Sequence, residues 1–222
     1  MSKDQRIRYD EGCLAAHTLN VVGDRWALLV VRELMFTPKR FQKIRQGLPG
    51  ITAAVLTQRL GQLVEAGVVR HDKELAIYAL TDSGSALLPV LQALCHWGAL
   101  HPGHDPSRFI SPTALMISMT ALILPLARSK ITAGMDFGTE CFVQEITEDS
   151  RLRVRAVSEP AGDFVLRGST NGAAWAVYGP DPVTDLVRQG VVEISGSESA
   201  AQDFIDLFHY GQKERPQIGV LA

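Results

Sequence analysis

The chain has 222 residues, 46% apolar and 21% charged, which excludes a collagenous or disordered polymer and allows one or two domains. Its net charge of -2 does not by itself point to nucleic acid. The charge is uneven, however: Asp24 to Lys73 holds nine Lys/Arg against four Asp/Glu, a net of +5, and the remainder carries -7, so a basic module is joined to an acidic one.

The opening residues, MSKDQRIRYDEG, lack the apolar core of an export signal. Residues 13–22 have helical spacing of Leu14, Ala15, Leu19 and Val22. Asp24 is placed to cap a second helix, RWALLVVREL, whose apolar residues nearly surround it, as in a deeply buried helix. TPKR breaks the pattern, and Phe41 to Leu48 reads as a short helix with Phe41, Ile44 and Leu48 inward. Pro49-Gly50 forms a turn, Thr52 caps the helix that follows, and Gly67 ends it. In that helix Leu56, Leu60 and Leu63 make one face. The opposite side carries Ala54, Gln58, Gly61 and Gln62, where a solvent-facing helix usually has Lys, Glu and Arg. VVRHDKELAIYALT predicts two short strands around a polar tip at Asp72, Lys73 and Glu74, and Ser83 to Leu100 predicts one further helix.

HPGHDPS, residues 101–107, has linker composition. Pro112 to Arg128 follows as an apolar helix with a kink expected at Pro125. Its richest run, Ala114 to Ala127, is too short and too interrupted for the roughly 20 residues that cross a bilayer. RLRVRAVS alternates Arg151, Arg153 and Arg155 with Leu152, Val154 and Ala156, the pattern of a half-buried strand. DFVLRGS and GVVEISG read as strands, and SESAAQDFIDLF as a helix with Ala201, Phe204, Ile205 and Phe208 on one face. The expected division is residues 1–100, a linker at 101–109, and a second domain at 110–222.

Cysteines 13, 95 and 141 have neither disulfide-framework nor zinc spacing, and His96, His101, His104 and Asp105 read as a solvated linker rather than a metal site. No P-loop, GxSxG, HExxH or dinucleotide fingerprint occurs. The expectation is a soluble cytoplasmic protein, not an enzyme, with no cofactor and no membrane partner.

Helix, helix, turn, helix, two-stranded ribbon, helix is the order of a winged helix-turn-helix. A helix entering the major groove needs small residues for close approach and a few side chains with fixed hydrogen-bonding geometry; Gln pairs bidentately with adenine N6 and N7. Lys39, Arg40, Lys43, Arg45 and Arg59 surround that face and suit phosphates. The reading weighed against this is an interior helix, or a winged helix used for protein contacts.

GDRWALLVVREL, RFQKIRQGLPGITAAVLTQRLGQLVEAGVVRH, YALTDSG and LLPVLQALCHWG resemble HxlR-type transcriptional regulators, relatives of the MarR group, over residues 10–100. The resemblance implies a homodimer on double-stranded operator DNA with an inverted repeat, dimerising through the first helix and the helix after the wing. Its DNA-facing positions are then Thr52, Ala53, Ala54, Thr57, Gln58 and Arg59, with Lys39, Arg40 and Lys43 nearby. The chain departs from the family at Ala54, often basic, and in its short wing of mixed charge. Cys13 matches the position of an oxidant-sensing cysteine. Leu14 replaces the usual proline, so no redox response is expected.

Residues 130–210 resemble the sterol carrier protein type 2-like fold in the D-x-x-L-x-G block at 163–168, the short helix with Trp175, the G-x-V-x-I-x-G strand and the final F-x-x-L-F. That implies a small α+β domain with an apolar cavity, for which Phe164, Leu166, Trp175, Phe204 and Phe208 are the expected lining; the alternative is a solid core. The whole reads as an α+β transcriptional regulator modulated by an apolar small molecule. A lipid carrier whose winged helix contacts proteins is the rival, and an enzyme acting in the C-terminal cavity a third possibility.

Overall fold

The computed structural model describes residues 9–124 and 129–208. The chain divides into two compact units between Leu88 and Pro89.

The first unit contains helices α1 (Leu14–Val22) and α2 (Ala27–Glu33), a two-residue strand β1 (Lys39–Arg40), helices α3 (Phe41–Gln46) and α4 (Ala53–Glu65), strands β2 (Val69–Asp72) and β3 (Ile77–Leu80), and a short helix α5 (Asp82–Ser85). Asp24 organises the start of α2: its carboxylate accepts from Trp26 N–H at 2.9 Å and its carbonyl from Ala27 N–H at 2.9 Å. The expected caps of α4 are both present. Thr52 Oγ1 accepts from Val55 N–H at 3.2 Å. Gly67 turns left-handed at φ +70, with Gly67 N–H donating to Val64 and Val68 N–H to Leu63. Val30, Val31, Ile44, Leu48, Leu56, Leu60 and Leu63 form a dry core between α2, α3 and α4.

The ribbon has the expected antiparallel register, Val69↔Leu80 to Asp72↔Ile77. TPKR contributes more than a break, because Lys39 and Arg40 pair with Tyr78 and Ile77 and complete a three-stranded sheet β1-β3-β2. The single helix expected at Ser83–Leu100 is instead two, α5 and α6 (Leu88–Leu100). Proline explains the interruption: Pro89 has no N–H for the Ser85 carbonyl and is tolerated only in a first helical turn.

In the second unit α6 is followed by α7 (Pro112–Leu122), strands β4 (Thr132–Asp136), β5 (Cys141–Ile146), β6 (Leu152–Val157) and β7 (Phe164–Gly168), helices α8 (Thr170–Tyr178) and α9 (Val183–Arg188), strand β8 (Val192–Gly196) and helix α10 (Glu198–Ile205). Helix α7 stops earlier than its apolar run suggests. Ile123 is extended and bridges Phe208, and Leu124 N–H donates to Leu207 at 2.8 Å. A residue before proline is pushed out of the helical region, and Leu124 precedes Pro125; the kink expected at Pro125 lies outside the described residues.

The five strands run in the order β6-β5-β4-β7-β8, with β4 and β7 parallel and every other neighbour antiparallel. Register places Phe142, Met135 and Leu166 in one row and Gln144, Ala133 and Phe164 in the next. Phe164, Phe204 and Phe208 close the core, with ring centroids 5.8 Å apart for Phe164–Phe204 and 5.4 Å for Phe204–Phe208. The segment expected to be a free linker is held at its end: Asn171 at the start of α8 donates to the carbonyls of Ser107 and Arg108 and accepts from Ile110 N–H. The α+β expectation holds.

Candidate nucleic-acid interface

Helix α4 presents two unlike faces. Leu56, Leu60 and Leu63 are buried, whereas Thr52, Ala53, Ala54, Thr57, Gln58 and Gly61 are exposed. The exposed face is small near the N-terminus, and a Cβ added to Gly61 would meet nothing. The Thr52 hydroxyl accepts the cap bond with one lone pair, leaving its O–H, its second lone pair and its methyl group on the exposed side.

The cations expected to ring this face divide into two groups. Arg40 and Arg45 are exposed and Lys43 is half-buried, all three on β1 or α3. Lys39 and Arg59 are turned inward. Lys39 is 4% exposed, and its Nζ lies 3.4 Å from Glu33 Oε2, so its charge is neutralised inside the unit and cannot reach a phosphate. Arg59 Nε stands 2.8 Å from Asp24 Oδ1 but off the line of its N–H, so the contact is Coulombic rather than a hydrogen bond. Arg59 Nη1 donates to Gln62 Oε1. Sequence spacing put Arg59 on the flank of α4; it could not show Asp24, 35 residues earlier, waiting there. Glu33 was not singled out at all, because an acidic residue ending an apolar helix gives no signal that it is buried.

On the ribbon, His71 stacks on Tyr78 with centroids 4.1 Å apart and planes 5° from parallel. The tip is shaped by Asp72, whose carboxylate accepts from the N–H groups of Glu74 and Leu75. The tip therefore presents Lys73 between two acids, a mixed-charge turn rather than the set of cations a wing reaching into the minor groove uses.

Cys13 is exposed at the N-cap of α1, where the backbone N–H groups of Ala16 and then Ala15 lower its thiol pKa below the ordinary value. Arg6 and Arg8, cations close to it along the chain, lie outside the described residues. Of the residues expected to line a ligand chamber, Phe164, Leu166, Phe204 and Phe208 are fully buried together. Trp175 is not with them: it is 45% exposed, and its indole N–H donates to Asp181 at 2.8 Å. The "D-x-x-L-x-G" segment ends on Gly168 at φ +154, a conformation that favours glycine. Among the described residues no helix is long and apolar enough to cross a membrane.

Comparison with known proteins locates the resemblance. The HxlR-like helix-turn-helix family model matches residues 21–105. An HTH-type transcriptional regulator of Methanothermobacter thermautotrophicus is 31% identical over 98 residues, covering 42% of this chain and 75% of that protein. The HTH-type transcriptional regulator YvaP of Bacillus subtilis is 36% identical over 84 residues, 36% of this chain and 78% of that one. Among solved structures, the reduced form of the transcriptional regulator YodB from B. subtilis is 31% identical, covering 42% of this chain and 100% of that chain, at a TM-score of 0.37.

Proposed function

Because the chain belongs to the HxlR-like helix-turn-helix family of transcriptional regulators, we propose that it binds operator DNA as a homodimer and reads it with α4. The observation that carries this is the exposed small and amide face, Ala53, Ala54, Thr57, Gln58 and Gly61, on a helix whose other side is anchored by three buried leucines. Gln58 is the base reader. Arg40, Lys43 and Arg45 supply the phosphate contacts that position it. Lys39 and Arg59, which the sequence grouped with them, orient the unit from within.

The homodimer is supported by apolar residues that remain exposed on two helices: Leu14 and Leu19 on α1, and Leu94, Trp97 and Leu100 on α6. Exposed large apolar residues on each of these helices suit an interaction surface, and a second copy of the chain is the occupant proposed. A closed two-fold dimer reads two inverted half-sites about one helical turn apart. Selection of binding sites from random duplex DNA should therefore yield an inverted repeat; enrichment of a single unpaired half-site would exclude the dimeric part of the proposal.

One observation favours an effector in the second unit. Gln144 is completely buried on a largely apolar sheet face, and among the described residues its amide N–H groups donate to the sulfurs of Met116 and Met119 while its Oε1 has no hydrogen-bond partner. A buried carbonyl left unpaired costs about 1–3 kcal/mol. An apolar molecule with one hydroxyl or N–H would satisfy it while the flexible methionine side chains make room. Trp175 is not part of such a site. A panel of apolar alcohols and matched alkanes, read by operator affinity, tests this: the proposal requires the alcohols to act and the alkanes to be weaker, with Gln144→Leu abolishing the difference.

A further inference from the structure

The charged cluster inside the first unit lies on neither the outer face of α4 nor an apolar surface. Glu33, the last residue of α2, is 1% exposed. Its Oε1 accepts from Arg32 Nε at 3.0 Å and Arg32 Nη2 at 2.9 Å, and its Oε2 faces Lys39 Nζ at 3.4 Å. Arg32 Nη2 donates again to the carbonyl of Gly47 at 3.1 Å. Gly47 caps α3 and opens the turn to α4, and a Cβ placed on it would collide with the Glu33 carboxylate. One carboxylate thus touches the end of α2, the first residue of β1 and the helix-turn-helix turn itself.

Those three places govern what faces DNA in the reading above. Lys39 starts β1, the next residue is the exposed Arg40, and β1 is laced to the ribbon through Tyr78 and Ile77. Gly47 begins the turn whose left-handed Gly50, at φ +86, leads to the Thr52 cap of α4. A hydrophobic core sets distances between elements but tolerates sliding. A carboxylate with two cations on separate oxygens sets directions as well, because its geometry is lost on small rotations.

We propose that Glu33 is a positioning residue for DNA recognition: through Lys39 and through Arg32–Gly47 it fixes the wing strand and the α3–α4 turn in one orientation, without itself touching DNA. This rests on the DNA-binding reading. It also explains why Lys39, basic and next to Arg40, is withdrawn from the surface. In some other proteins buried polar or charged groups are retained for geometry rather than stability.

The test uses the full chain and two variants. Glu33→Gln keeps the shape but removes the carboxylate charge that faces Lys39, and its fold is at risk. Lys39→Met keeps Glu33 on Arg32 and removes the tie from Glu33 to β1. Affinity is measured for the selected duplex and for a scrambled duplex of equal length, across a salt series, beside a thermal melt. Lys39→Met should bind the selected duplex at least tenfold more weakly, keep scrambled-duplex affinity within about twofold, and leave the salt slope unchanged. A lysine that touched phosphate would instead lower that slope by about one and weaken both duplexes alike. Equal selectivity in Lys39→Met and in the wild type, whatever the melt, overturns the positioning role. Absence of selective binding by the wild type is a different failure and sinks the DNA-binding reading beneath it.

Discussion

Helices α4 and α7 are close in length, 13 and 11 residues, and both mix apolar side chains with a few small polar ones. Their surroundings separate them. Helix α7 is buried on most sides, and its polar groups are spent internally: Thr113 on Glu140, Ser118 on Tyr178, and Thr120 on the Ile117 carbonyl and Gln92. In α4 the buried side is purely leucine, and the polar residues Thr57 and Gln58 stand exposed. Polar side chains within a helix suit a reading surface only where they stand exposed rather than buried in the fold. By that criterion α4 fits the proposed reader and α7 a support, and Arg59, turned inward, drops out of the proposed reading set despite sitting on α4.

The supporting role can be attacked first where the largest effect is expected. Phe204→Ala in α10 removes a fully buried ring in contact with Phe164 and Phe208, and should destabilise the second unit by about 3–5 kcal/mol in denaturant unfolding. A loss under about 1 kcal/mol would mean that the three rings do not form a close-packed core. Gln144→Leu should act in the opposite direction, raising stability by about 1–3 kcal/mol in the absence of effector because the unpaired carbonyl disappears. A drop in midpoint would show that its contacts to Met116 and Met119 outweigh that penalty.

In the first unit, Thr52→Ala removes the cap of α4 and should cost about 1 kcal/mol of stability. Operator affinity should fall with it, since the same residue opens the reading face; unchanged affinity would separate the cap from the interface. The smallest effect concerns the thiols. Helix α1 lowers the Cys13 pKa through backbone N–H groups, whereas burial and then Asp136 raise that of Cys141. As pH rises, Cys13 forms thiolate first, so alkylation followed by mass spectrometry should modify it at lower pH than Cys141. The reverse order would contradict the placement of Cys13 at the α1 cap. Higher reactivity alone does not make Cys13 a sensor, and the expectation from Leu14 remains that oxidants leave DNA binding unchanged.

What was legible in the sequence was local and periodic. Thr52, the leucine spacing and Gly67 delimit α4, and the ribbon, the alternating strand β6 and the buried face of α10 follow from short-range pattern, although the helix ends at Ile205 and Phe208, expected on the same face, instead bridges Ile123. Strands β4 and β5 escaped because their composition conceals them. Gly134 in β4 has no side chain where Val165, Pro160 and Ala161 crowd the position, and β5 interrupts its apolar residues with the buried Gln144. The candidate site was legible as a face but not as a set of committed charges. Pairings such as Asp24–Arg59 and Glu33–Lys39 join residues whose proximity only the packed fold creates, and they remove two of the five cations that composition assigns to phosphate.

The central claim is that exposed amide chemistry on α4 reads bases while cations on β1 and α3 only position it. Parallel site selections with the wild type, Gln58→Ala and Lys43→Ala test it most directly, each followed by a salt titration on the wild-type consensus. The account predicts that Gln58→Ala loses preference at one position in each half-site, a change of about 1–3 kcal/mol. Lys43→Ala should keep the consensus, bind all duplexes more weakly and flatten the salt slope by about one. A Gln58→Ala consensus identical to the wild type, or a Lys43→Ala consensus altered at a base, would contradict it.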